Sequence, residues 1–411
     1  MSRNQGITQA PRVLVVTTVA STLEAFLLPF ARALRKQGAQ VDALAADTLS
    51  ATGLESEFDQ RFEIGWSRSA RCLLHFRRLT SELRALVTRE SYDVVWVHTP
   101  IAAFVTRAAL RKRDGGLRQG ARDGVAAPLS QPRIVYTAHG FHFYRGGRPW
   151  FEQRLYRLME RRALAWTDVL VVMNDEDELV AQQWFARAAR RRARCQLARI
   201  DGIGIDRVAW APVTLDSARR AELRQRFRIP IGSFVVTMIA EMNANKRHEL
   251  LIEAFALLRR RGSLTWLRLL LIGEGPREDE LRALVEARGL SETVVFAGQL
   301  SPVELRELLA LTNVGMLVSE REGLPRSLME LCAAGIPLAG THTRGIVDEV
   351  ADEHALTSKP TAAALADLIE KLAKNPTLRS ELAQAQQARL RERYDLDRIL
   401  TQYLELLLGE F

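Results

Sequence analysis

Short apolar runs alternate with longer amphipathic stretches along this chain. Residues 12–17 form the first run, apolar almost throughout and too short for a helix, as in a strand buried on both faces. A helix follows with Phe26, Leu27, Phe30 and Leu34 on one side, Gly38 ends it, and 41–45 is a second strand. The alternation continues with strands at 92–98, 134–138 and 168–173 and helices at 101–110, 150–166 and 175–189. A linker at 212–217 precedes strands at 234–240, 267–272, 293–297 and 314–318. Helices at 246–261, 277–288, 302–311, 361–374 and 376–392 intervene or follow. A last helix carries Ile399, Leu400, Tyr403, Leu404 and Leu407. This order predicts an α/β protein of two parallel-sheet domains facing a cleft, over 1–212 and 213–392, with a terminal helix in 393–411. No internal repeat unites the halves.

Two stretches resist the pattern. Residues 68–89 set Arg68, Arg71, Arg77, Arg78, Arg84 and Arg89 against leucines and Phe76. An interfacial helix on anionic lipid and an amphipathic helix packed on the core both fit. Residues 111–133 are rich in Gly, Arg and Pro, show no period and are expected to form a loop. Past the first strand there is no G-x-G-x-x-G, so a dinucleotide fingerprint is absent. The small residues Ala20, Ser21 and Thr22 leave room for a substrate to approach the backbone, or simply fill a loop.

The densest chemistry lies in 314–337. An apolar strand stops at a charged cluster, a Gly-Leu-Pro turn follows, and a helix runs until Gly335. Glu322 then sits at the strand's carboxyl end and Glu330 well inside the helix, where α/β sheets bind ligands. The helix N-terminus offers free N–H groups and a positive dipole end to an anion. The first half ends another strand at His139-Gly140-Phe141-His142-Phe143. His139 is the better aimed of the two histidines, with His142 read as packing or substrate-loop chemistry.

Composition narrows the class. With 411 residues, 47% hydrophobic and 26% charged, the chain reads as an ordinary soluble globular protein. Its three cysteines have neither disulfide nor metal-ligand spacing, which suits a reducing compartment. No signal peptide or membrane-spanning run is read. Charge is uneven: residues 1–212 hold 32 Lys+Arg against 21 Asp+Glu, net +11, and the remainder 26 against 28, net −2. A basic half points to a polyanionic partner or to solvated arginine-rich faces. Without helix-turn-helix, zinc-finger or aromatic RNP signatures, no nucleic-acid partner is expected.

Several motifs now agree in order. Glu322-x7-Glu330 followed by Ala334-Gly335-Ile336-Pro337 resembles the E-x7-E signature of family-4 retaining glycosyltransferases. The runs 137–140 (Thr-Ala-His-Gly), 202–206 (Gly-Ile-Gly-Ile-Asp) and 271–275 (Leu-Ile-Gly-Glu-Gly) match further landmarks of that family. Residues 136–144 and 240–246 are most similar to its bacterial exopolysaccharide and capsule branch. The resemblance implies a GT-B fold, two Rossmann-like domains with helix 393–411 returning to the first. It places Glu322 on the transferred sugar, Glu330 on the ribose hydroxyls, and Lys246 on the diphosphate with the amides around Gly323, Leu324 and Arg326. It also places His139 against the donor sugar and Gly298 near the base, with Arg247 beside the donor. On the acceptor side Ser21, Thr22, His142 and Arg145 are candidates. One position departs: the family's R-x4-K carries an arginine where this chain has Glu241, with Arg247, Arg326 or Arg145 as possible substitutes.

The resemblance implies transfer of a hexose or N-acetylhexosamine from a nucleotide diphosphate sugar, with UDP the family-weighted choice, and retention at the anomeric carbon. No metal-ligand cluster is read, so a metal-independent, cofactor-free enzyme is expected. The basic half suits a polyprenyl diphosphate-linked saccharide acceptor and a peripheral place on the cytoplasmic face of the membrane. Two rivals share the architecture or the charge. One is a UDP-sugar 2-epimerase, the other a non-catalytic protein that binds nucleotide sugars or polyanions.

Overall fold

The computed structural model describes residues 10–66, 74–111, 131–141, 150–188, 195–262 and 266–409. The chain forms two compact units, one of Met1–Ile203 with Arg398–Phe411 and one of Gly204–Asp397. The division falls after Ile203 and not near residue 212, because Ile205 bridges to Asp395 in parallel and the buried Trp210 joins the second unit's core.

The first unit holds a seven-stranded sheet ordered β3-β2-β1-β4-β5-β6-β7. Its strands are β1 (Arg12–Val16), β2 (Gln40–Ala45), β3 (Arg61–Glu63), β4 (Val94–His98), β5 (Arg133–Ala138), β6 (Val169–Val172) and β7 (Gln196–Arg199), paired in parallel throughout. Side chains alternate across a strand, so the run in β1 divides between two cores. Leu14 and Val16 enter one with Val95, Val97 and Tyr136, while Val13 and Val15 enter the other with Val41, Trp96 and Val171. The terminal helix Leu396–Leu408 covers the second core with Ile399, Tyr403 and Leu407, spaced one helical turn apart. Tyr403 packs 5.1 Å from both Phe30 and Trp96.

On the other face helix Phe76–Glu90 buries Leu79, Leu83 and Val87 in the first core, with Phe76 and Leu86 packed against it. Of the two readings of residues 68–89, core packing holds for the described part. The proposed loop at 111–133 lies almost wholly outside the described residues.

The second unit is a six-stranded sheet ordered β10-β9-β8-β11-β12-β13. It comprises β8 (Phe234–Ile239), β9 (Leu267–Ile272), β10 (Val294–Gly298), β11 (Val314–Leu317), β12 (Leu338–Thr341) and β13 (Leu356–Thr357). Every pairing is parallel, so every strand delivers its carboxyl end to the same edge. Helix Pro376–Arg393 is pinned to β12 by the buried Gln386 amide, which exchanges hydrogen bonds with the Leu338 backbone at 2.7 and 3.0 Å.

Candidate active site

The second unit gathers its chemistry where β8 to β12 end. After β8 the chain turns through Ala244–Lys246, and Asn243 Oδ1 accepts from the Lys246 N–H at 3.2 Å. Arg247 follows at φ +54°, a left-handed conformation unusual for a residue other than Gly, Asn or Asp, and helix His248–Arg260 begins. Glu241 stands exposed where the family pattern has arginine, and its carboxylate accepts from Asn243 Nδ2 at 2.9 Å. The acid thus orders the asparagine that shapes the lysine turn.

Loops from the neighbouring strands close around this turn. Gly273 and Gly275 are required because a Cβ would meet Ala240 O at 2.4 Å or the Met242 backbone at 2.6 Å. Gly298 ends β10 at φ +68° and accepts from the Gly273 N–H at 3.0 Å. The β11 loop is laced from both sides. Glu320 N–H donates to Asn245 O at 2.8 Å, and Asn245 Nδ2 donates to Arg321 O at 3.0 Å. From β12, Thr343 Oγ1 donates to Ser319 O at 3.1 Å and Arg344 Nε donates to Glu322 O at 2.9 Å. Gly323 and Leu324 belong to this loop, Leu324 resting against the core.

Two ion pairs occupy the site. Lys246 Nζ donates to Glu322 Oε1 at 2.6 Å, with 19% and 11% of their side chains accessible. Arg326 Nε donates to Glu330 Oε1 at 3.0 Å within helix Arg326–Ala333. That helix starts at Pro325 with no side-chain cap and no acidic residue in its first turn, and the positive end of its dipole suits an anion. Burial pushes the Glu330 carboxyl up to about 7, Arg326 pulling the other way. Of the arginines weighed as substitutes at Glu241, Arg326 is paired with Glu330, Arg247 sits in the strained turn, and Arg145 lies outside the described residues.

The first unit contributes a different kind of centre. His98 ends β4 and His139 follows β5, with His98 Nδ1 and His139 Nε2 2.8 Å apart. Burial pushes His139 down to about 4, and burial with the neighbouring ring holds His98 well below the ordinary histidine range. Both rings are therefore neutral near pH 7, one donating to the other. The buried His98 lies edge-on to Trp96 at 4.4 Å, and its Nε2 finds no partner among the described residues. Thr99 turns the chain at φ +60° and its Oγ1 accepts from Thr18 N at 3.1 Å, joining the loops after β4 and β1. Ser21 and Thr22 open the helical segment that leaves that loop, Ser21 exposed. His142 lies outside the described residues.

The structure thus joins Glu322 to Lys246 and Glu330 to Arg326. Reading the sequence missed His98, Asn245, Thr343 and Arg344. His98 was within reach, since it ends a strand as His139 follows one. The others act through loop-to-loop bonds that no spacing reveals.

The family model described as Glycosyltransferase Family 4 matches residues 23–189, and that described as Glycosyl transferases group 1 matches residues 219–389. EpsD of Bacillus subtilis (strain 168), a protein assigned as a glycosyltransferase, is 31% identical over 378 residues, 91% of this chain and 90% of that one. Anabaena HepE, crystallised with UDP-glucose, superposes with a TM-score of 0.72 at 18% identity over 97% of this chain and all of its own. WaaG, a glycosyltransferase involved in lipopolysaccharide biosynthesis, does so with 0.70 at 16% over 97% of this chain and 100% of its own. At such identities these two speak for the fold alone. With both halves matched and a relative aligned along nearly its whole length, the chain belongs to the family-4 glycosyltransferases and has their GT-B architecture of two Rossmann-like parallel-sheet domains.

Proposed function

We propose that this glycosyltransferase moves a hexose or N-acetylhexosamine, with retention and without a metal, from a UDP-sugar to a polyprenyl diphosphate-linked saccharide in surface polysaccharide synthesis. The carrying observation is the Lys246–Glu322 pair, 2.6 Å apart at the strand ends near an uncapped helix N-terminus. A diphosphate gives Lys246 a stronger partner and frees Glu322 to accept hydrogen bonds from sugar hydroxyls. Glu330 accepts from the ribose hydroxyls, and the amides of Gly323, Leu324 and Arg326 meet the diphosphate. The neutral His139 contacts the donor sugar without adding charge. Arg247 and Gly298 border the donor, and Ser21, Thr22, His142 and Arg145 serve the acceptor.

The acceptor hydroxyl attacks the anomeric carbon from the face the diphosphate leaves. The bond from that carbon to the phosphate oxygen breaks, and the departing phosphate takes the hydroxyl proton. Catalysis then lies in positioning and in stabilising the leaving group by Lys246 and the helix N–H groups. UDP is the family-weighted choice, and HepE, which shares the fold, was crystallised with it; the basic first half favours a lipid-borne, anionic acceptor. The enzyme would work at the cytoplasmic face of the membrane. Among the described residues no helix is long and apolar enough to cross one.

The test is a panel of uridine, guanosine and adenosine diphosphate sugars scored for binding and slow hydrolysis. Release of uridine diphosphate supports the proposal. Conversion at C2 of the sugar without an acceptor indicates an epimerase, and binding without release a non-catalytic module.

A further inference from the structure

We infer that the outward face of helix Trp150–Ala163 docks the first unit on an anionic lipid bilayer. The helix spends its inward face within the unit. Tyr156 packs on the first core, Ala163 is buried, and the buried Glu160 accepts from Arg107 Nη2 at 2.8 Å and from the Tyr136 hydroxyl at 3.2 Å. Its outward face is apolar where a soluble surface would be polar. Trp150, Phe151, Leu155 and Leu158 are 72%, 57%, 51% and 63% exposed. Phe151, Leu155 and Leu158 recur at the i, i+4, i+7 spacing of one stripe, and Trp150 leads the adjacent stripe into Arg154 and Arg161. An exposed apolar stripe of this kind marks a binding surface.

The arginines choose the partner. Arg154, Arg161 and Arg162 are exposed on the same face, interleaved with the apolar side chains. Anionic headgroups above acyl chains satisfy both at once, the apolar groups entering the interface while arginine stems reach up to phosphate. Nucleic acid would use the charge and leave the leucines in water. Helix Phe76–Glu90, equally arginine-rich in sequence, cannot serve in this way because its apolar stripe is buried. The choice of lipid as partner rests in part on the proposed lipid-linked acceptor.

The experiment is flotation of the full chain with phosphatidylcholine vesicles, with and without phosphatidylglycerol, at low salt. Wild type is expected to float with the anionic vesicles only. The variant Phe151→Ser/Leu155→Ser/Leu158→Ser should bind at least about tenfold more weakly. Arg154→Gln and Arg161→Gln should each weaken binding about fivefold. Brominated acyl chains should quench wild-type fluorescence more than that of Trp150→Phe. Soluble donor hydrolysis and circular dichroism report folding, since every substituted side chain is exposed. Loss of flotation with hydrolysis intact in the triple variant supports the inference. A wild type that stays in solution, or a triple variant that floats like wild type, overturns it. A wild-type dimer that the triple variant abolishes overturns it in favour of self-association. Failure of the donor-site reading leaves flotation unchanged, so the two failures are distinguishable.

Discussion

The two units arrange their polar candidate residues in opposite ways. In the second unit, charges neutralise each other: Lys246 holds Glu322 at 2.6 Å and Arg326 holds Glu330 at 3.0 Å. In the first unit, His98 and His139 carry no charge near pH 7 and share one hydrogen bond. On the proposed function, a charged ligand displaces these partners and each pair stands where ligand contacts would form. The neutral imidazoles have no charge to surrender, in keeping with the uncharged sugar that the proposed function sets against His139.

The comparison is broken most sharply by removing a charge. Glu322→Ala and Lys246→Ala are each expected to lower turnover by about 10²- to 10³-fold in a nucleoside diphosphate release assay. Normal rates in either would remove that residue from the site.

Acidification separates the halves next. On the proposed role Glu330 accepts two ribose hydroxyls as a carboxylate, and burial pushes its carboxyl up to about 7. Donor affinity should therefore fall by roughly tenfold from pH 8 to pH 6, and Glu330→Gln should flatten the profile. The histidine centre should contribute no step in that range, because His139 titrates at about 4.

Within the neutral half, His98→Phe should lower turnover by about tenfold through loss of the hydrogen bond that orients His139. His98→Asn, which keeps a hydrogen-bonding group at that position, should restore part of the loss. Equal rates in wild type and His98→Phe would show that His139 needs no such support.

The last effect is on stability and leaves the chemistry aside. Glu349 is buried on helix Ile346–Val350 with neither carboxylate oxygen bonded among the described residues. Burial, with Glu322 nearby, holds its carboxyl well above the ordinary range. A raised carboxyl favours the folded state only while protonated, so its burden grows as pH rises above the usual carboxylate value. Glu349→Leu should stabilise the protein by about 1–3 kcal/mol at pH 8 and by less at pH 5, read from urea unfolding.

Much of the fold was legible because its strands are buried on both faces and its helices are long. Residues 12–17, 234–240 and 267–272 announce themselves as apolar runs, and the terminal helix shows Ile399, Tyr403 and Leu407 in register. Arg61–Glu63 and Gln196–Arg199 escaped because short edge strands of mixed polarity carry no period, and Leu338–Thr341 because Gly340 interrupts its run. The E-x7-E spacing drew attention to Glu322 and Glu330, since one strand end and one helix fix the position of both. What the spacing did not reveal was the pairing of Lys246 with Glu322, 76 residues apart, or the role of Glu241 in ordering Asn243. Arginine count was equally uninformative about surfaces: only packing tells helix Phe76–Glu90 from helix Trp150–Ala163.

The central claim is that Glu322 serves the sugar and Lys246 the diphosphate. Titration calorimetry of Glu322→Gln against uridine diphosphate and against a UDP-sugar that wild type binds tests it most directly. The account predicts that the variant binds the nucleotide at least as tightly as wild type, since Lys246 loses a competing partner, and loses at least about tenfold for the sugar nucleotide. A variant that binds the sugar nucleotide as tightly as wild type would contradict it.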